Sequence, residues 1–172
     1  VSLWAELGGR ALNCQLQDFN AVISAFEKGK QWTRALALLS QLRQSSYMPN
    51  AITYSAAISA CEGCQEWEHA LCLFADLLLR GMEPNRVTYS AAIGACEIGR
   101  RWQLALSLFG QLLADGLQAD RMAYLAVISA CERDGKWQHA LFLLSQLGVG
   151  TDGDVSAQST VLRACEDVNR VA

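Results

Sequence analysis

The chain has 172 residues, 52% of them apolar, with 17 acidic against 14 basic side chains and a net charge of −3. That apolar fraction excludes an intrinsically disordered chain, and the acid excess excludes a polycation that holds nucleic acid by charge alone. The longest apolar stretch, around Leu71 to Leu79, is interrupted by Asp76 and is too short to cross a bilayer, so no membrane partner is expected.

Val1 to Gly9 aligns with Leu36 to Gln44, so residues 1–15 read as the end of a repeat whose first half is missing. Four units follow, 16–50, 51–85, 86–120 and 121–154, and residues 155–172 read as the first helix of a truncated fifth. Trp32, Trp67, Trp102 and Trp137 recur every 35 residues, and Tyr54, Tyr89 and Tyr124 keep the same step, with Phe19 standing in at the front. A fixed period in this range predicts an all-α solenoid, in which each unit buries its apolar face only against its neighbours. The chain is therefore expected to be a fragment of a longer array.

Within unit 51–85, Tyr54, Ala57, Ile58 and Cys61 fall at i, i+3, i+4 and i+7, the stripe of a first helix, and Thr53 just ahead of them suits a cap. Trp67, Ala70, Leu71, Phe74 and Leu77 repeat that spacing in a second helix. Leu73 and Leu78 widen its stripe until the helix is apolar on most sides, which predicts that it is buried between neighbours with its Trp in the core. A short polar turn carrying Gly29, Gly99 or Gly135 separates the two helices. Gly81 and Gly116 supply a left-handed residue at the end of the second, and Pro49 and Pro84 prevent its continuation.

Cys61 and Cys64 form a CxxC, which could suggest a metal or redox site. Cys61, Cys96, Cys131 and Cys165, however, occupy one small apolar slot in successive units, and no second pair completes a tetrahedral set, so packing explains them. Cys14 and Cys72 have no place in the pattern. Free core cysteines point to a reducing compartment. His69 and His139 sit at equivalent surface positions of the second helix, and no catalytic constellation, metal site or cofactor motif is present in the sequence.

Tyr54-Ser55 and Tyr89-Ser90, the Ala-Leu-x-Leu-Phe of Ala70 to Phe74 and the Gly-x-x-Pro-Asn ending at Asn85 resemble the pentatricopeptide repeat, and the match runs over nearly the whole chain. The tetratricopeptide repeat, a protein-binding array of similar length, fits less well. Leu42, Leu77, Leu112 and Leu147 stand where that family wants a small residue late in the second helix.

The resemblance implies a right-handed superhelix that reads single-stranded RNA, one base per repeat, in mitochondria or chloroplasts, in RNA processing, stability or editing. It also implies the readers: the residue after the aromatic and the last residue of each unit. These are Asn20 with Asn50, Ser55 with Asn85, Ser90 with Asp120, and Leu125 with Asp154, and Ser159 opens the fifth unit. The centre of the Watson–Crick edge is an acceptor in adenine and cytosine and a donor in guanine and uracil, so a terminal Asn favours the first pair and an Asp the second. With the family's association of Ser with purines and Asn with pyrimidines, the first three units read a pyrimidine (C over U), A and G. Leu125 makes the fourth unreadable.

Glu27, Glu62, Glu97, Glu132 and Glu166 each follow their unit's first reader by seven residues, two helical turns, and are expected to form a solvated acidic row on the same face. Lys28 and Arg133, one residue further on, are the candidate phosphate contacts. Weak RNA affinity is expected from four such units. The alternative is a protein-interaction scaffold in which the acidic surface binds a protein partner.

Overall fold

The computed structural model describes residues 16–44 and 48–148. Eight helices are found among them and no strands: α1 (Leu16–Lys28), α2 (Trp32–Gln44), α3 (Ala51–Glu62), α4 (Trp67–Leu79), α5 (Arg86–Ile98), α6 (Trp102–Ala114), α7 (Arg121–Arg133) and α8 (Trp137–Gly148). The chain is an all-α helical-repeat solenoid. The first helices α1, α3, α5 and α7 pack side by side, and each second helix packs on its own first helix; α2, α4 and α6 also pack on the first helix that follows. No helix among the described residues is long and apolar enough to cross a membrane.

Burial in the two layers runs opposite to the expectation from stripe width. In α3 every side chain from Thr53 to Ile58 is buried, and α5 is buried from Ala91 to Cys96. The alanines and cysteines there are small enough to let three or four helices meet around one. The second helices bury only Ala70, Leu73, Phe74 and Leu77 and their counterparts, while Leu79 (87% exposed) and Phe142 (63%) face solvent. An outermost layer has no further layer above it, so half its apolar surface stays uncovered. The Trp column belongs to this layer. Trp32, Trp67, Trp102 and Trp137 are half-buried rather than core, and Arg101 and Lys136 stand over the rings of Trp67 and Trp102, 5.6 and 5.3 Å from their centroids. His69 and His139 are exposed, as expected, and their rings lie 4.9 and 5.7 Å from those of Trp32 and Trp102.

Cys61, Cys96 and Cys131 are free and fully buried, and burial pushes their thiols up to about 12, 12 and 11, so they are unreactive packing groups. Cys14 and Cys165 lie outside the described residues. Neighbouring units are also joined by polar contacts. Arg43 of α2 donates to Tyr54 (2.8 Å) and pairs with Asp76 of α4, which also accepts from Tyr54 and Arg80. Burial acts to raise the Asp76 carboxyl, but hydrogen bonds from Tyr54 and Arg80 and the charges of Arg43 and Arg80 hold it below the ordinary range.

Gly81 (φ +68) and Gly116 (φ +72) close α4 and α6 in the left-handed conformation, and Met82 N and Leu117 N reach back to Leu77 O and Leu112 O at 3.2 and 3.1 Å. Between the helices of a unit the left-handed residue is Lys30, Gln65 or Arg100, and only in the fourth unit is it a glycine, Gly135. Gly99 serves a different need: a Cβ there would lie 2.6 Å from the Trp67 ring. Gly110, in the middle of α6, has open space around it.

These two glycines should therefore respond oppositely to alanine. Gly99→Ala displaces Trp67 and should cost about 1–3 kcal/mol, whereas Gly110→Ala should stabilise by about 0.5–1 kcal/mol through helix propensity. Denaturant titration of the two variants checks both signs.

Candidate nucleic-acid interface

The face made by the first helices begins with their caps. Asn50, Asn85 and Asp120, each the last residue of its unit, adopt extended backbone and cap α3, α5 and α7. Their Oδ1 atoms accept from the backbone N–H of Thr53 (3.0 Å), Thr88 (2.9 Å) and Ala123 (2.8 Å). Thr53, which the sequence suggested as a cap, is therefore, like Thr88, the third helical residue of a capping box, its hydroxyl returning to the cap residue.

One turn into the preceding first helix stands the other member of each expected pair. Ser90 donates to both oxygens of Asp120 at 3.2 Å. Ser55 Oγ lies 3.5 Å from Asn85 Oδ1, with the Thr88 hydroxyl between them. Asn20 and Asn50 are joined through Thr53, whose hydroxyl is 2.6 and 2.9 Å from their Oδ1 atoms. The structure thus brings three of the expected pairs together, each between one first helix and the cap of the next. Leu125 is half-buried on the same face. Asp154 and Ser159 lie outside the described residues.

A groove of about 340 Å³ runs along this face, with Ser90, Asp120 and Leu125 in its wall and Glu27, Glu62 and Glu97 along one side. The glutamates are half-buried, not a solvated row. Glu62 lies across the α5 backbone, where a Cβ at Gly94 would meet its Oε1 at 2.8 Å. Burial raises the Glu62 carboxyl, and the charges of Glu97 and Glu27 raise it further. Burial likewise raises Glu27, against the charge of Lys28, and Glu97, against that of Arg133. Arg133 is 3.4 Å from Glu97 Oε1 and also donates to its carbonyl at 3.5 Å, so this expected phosphate contact is an exposed cation already paired. Lys28 is exposed at the end of α1. Glu166 lies outside the described residues.

Val87 and Met122 line the groove as well, and with Ile52 they form a set of exposed aliphatic side chains, each one turn before a reader position. Such a side chain can press on the flat face of a base while its neighbour addresses the edge. The sequence carried a signal for them: an apolar residue in the first turn of each of these helices that belongs to no core stripe.

A family profile described as the pentatricopeptide repeat domain matches residues 2–63, and one described as the PPR repeat matches residues 87–117 and 122–148. The chain belongs to the pentatricopeptide repeat family. Among solved structures, the PPR domain of Arabidopsis thaliana protein-only RNase P 1, in complex with tRNA, is similar over 88% of this chain and 80% of its own, at 14% identity and TM-score 0.76. The pentatricopeptide repeat protein PPR10, a maize protein, in complex with an 18-nucleotide psaJ RNA element, is similar over 92% of this chain at 22% identity and TM-score 0.71. The present chain spans 23% of that one. No match was found among curated proteins.

In this pentatricopeptide array the raised carboxyls fix the sign of a pH response. A carboxyl whose pKa is higher folded than unfolded binds its proton more readily in the native state, so stability rises as pH falls from neutrality toward the ordinary value of 4.5. Glu62→Gln should therefore stabilise the chain at neutral pH and lose that advantage below about pH 4.5. Urea denaturation at the two pH values measures the difference.

Proposed function

We propose that this chain reads single-stranded RNA along the first-helix groove, one base per repeat, as part of a mitochondrial or chloroplast protein acting in RNA processing, stability or editing. The observation that carries the reading is the way the caps are used. Each cap side chain spends one oxygen inward on a backbone N–H, which determines what it has left to offer a base. Asn50 and Asn85 keep their Nδ2 groups, donors suited to the ring nitrogen of adenine or cytosine. Asp120 keeps a second oxygen, an acceptor suited to the ring N–H of guanine or uracil. The RNA-bound state of the two similar solved structures supports the same reading. Lys28 and Arg133 are proposed to meet phosphates, Arg133 by exchanging Glu97 for the RNA backbone. The proposal assigns binding rather than catalysis to this chain.

Asp120→Asn tests it. The amide adds a donor for adenine where the carboxylate offered only acceptors, so the third unit's preference should move from G toward A by about 1–3 kcal/mol. The other units should keep theirs. Competition binding against RNAs varied at one position reads the shift. An unchanged profile, with binding abolished by Lys28→Glu and Arg133→Glu, would show a non-specific electrostatic contact. Indifference to all three variants would favour a protein-binding scaffold.

A further inference from the structure

Thr88 is fully buried, and its hydroxyl sits among three other polar groups. Asn85 Oδ1 lies 2.9 Å from Thr88 N and 3.0 Å from Thr88 Oγ1, Asn85 N donates back to Thr88 Oγ1 at 3.4 Å, and Ser55 Oγ is in hydrogen-bond contact with Thr88 Oγ1. Ser55 Oγ also lies 2.8 Å from the Ala51 carbonyl, a second acceptor for its one proton; the arrangement that serves the cap sends the Ser55 O–H to Thr88 Oγ1 and the Thr88 O–H to Asn85 Oδ1. An amide oxygen has two lone pairs. With the Thr88 N–H on one and the Thr88 O–H on the other, Asn85 has only its Nδ2–H donors left to present.

Building on the base-reading function above, we propose that Thr88 is a third, specificity-setting member of the Ser55–Asn85 pair: a positioning residue that saturates the Asn85 oxygen and makes the cap a donor only. Without the hydroxyl the second lone pair opens toward the groove and can accept the ring N–H of guanine or uracil. The same Asn then tolerates both classes of base.

The neighbouring units fit this account. Thr53 occupies the same place beside the amide cap Asn50, its hydroxyl shared between Asn50 Oδ1 at 2.9 Å and Asn20 Oδ1 at 2.6 Å. Beside the carboxylate cap Asp120 the place is taken by Ala123, and Ser90 donates to Asp120 directly. A carboxylate has lone pairs to spare and needs an open acceptor, so a saturating hydroxyl there would work against it. The hydroxyl accompanies the caps that must donate and is absent beside the one that must accept.

The test uses the whole chain and four RNA oligonucleotides that differ only at the base facing unit 51–85. Thr88→Val keeps the shape and removes the hydroxyl. It should reduce the preference for A over G by about tenfold, the discrimination carried by one hydrogen bond, and leave preferences at the other units unchanged. Thr88→Ser should restore it, and Ala123→Thr should reduce the G-over-A preference of the third unit. Equal weakening toward all four RNAs, with the ratio intact, would mean that Thr88 only supports the helix and would overturn the proposal. A second readout needs no RNA: in the free protein the Thr88 hydroxyl proton should exchange slowly enough to be seen by NMR with contacts to Asn85, and fast exchange would overturn the relay. A protected hydroxyl in a wild-type chain that shows no base preference at this position would instead sink the base-reading function, and the specificity role with it, while the hydrogen bond itself stands.

Discussion

The caps of α3, α5 and α7 each use an oxygen that belongs to the preceding unit, and the face proposed to read RNA depends on this one hydrogen bond. Asn50, Asn85 and Asp120 close a unit in sequence but open the next helix in space. The cap bond holds the side chain at the unit boundary, where it meets Asn20, Ser55 or Ser90 of the helix before. Removing a cap would cost about 1 kcal/mol of helix stability, but it would also free the side chain to turn. If the proposed base reading holds, stability and recognition are carried by the same side chains, whose two ends divide the work.

The layers follow from the same stacking. A first helix touches its predecessor, its successor, its own partner and the second helix before it, so its residues must be small or fully apolar, and even Thr53, Ser55 and Thr88 are buried there. A polar group so placed needs partners, which Asn and Asp caps supply. The second helices have water above them, and cations from the following turn shield the Trp67 and Trp102 rings in place of a further layer. The close fit appears at Gly99, where the turn of one unit comes within a side chain's breadth of the preceding unit's Trp67.

Period and stripe were legible because Trp, Tyr and Gly recur at one spacing, and they suffice for the all-α solenoid. Layer exposure was not, since a wide apolar stripe on Trp67–Leu79 looks alike whether it is buried or lies outermost. The cap was misplaced by three residues for a related reason: in a capping box the Asn and the Thr both suit a helix start, and only geometry says which has extended backbone. The meeting of each first-helix residue with the cap of the next first helix follows from that geometry. The contribution of Val87 and Met122 to the groove was not legible, because an apolar residue that falls off the core stripe looks like ordinary surface.

The acidic groove limits how this face can hold an anionic chain. Glu27, Glu62 and Glu97 are half-buried and so weakly screened by solvent, and Arg133 is engaged with one of them. Phosphate neutralisation, the usual source of nucleic-acid affinity, is therefore scarce here, and hydrogen bonds to base edges with apolar contacts to base faces must supply more of the binding energy. On the proposed reading, such a surface sacrifices affinity for any RNA and keeps the difference between one base and another, because the donors and acceptors assigned to discrimination are held by helix caps rather than by mobile charges. In that proposal the glutamates act against indiscriminate binding: an RNA that cannot satisfy the caps would meet only their repulsion.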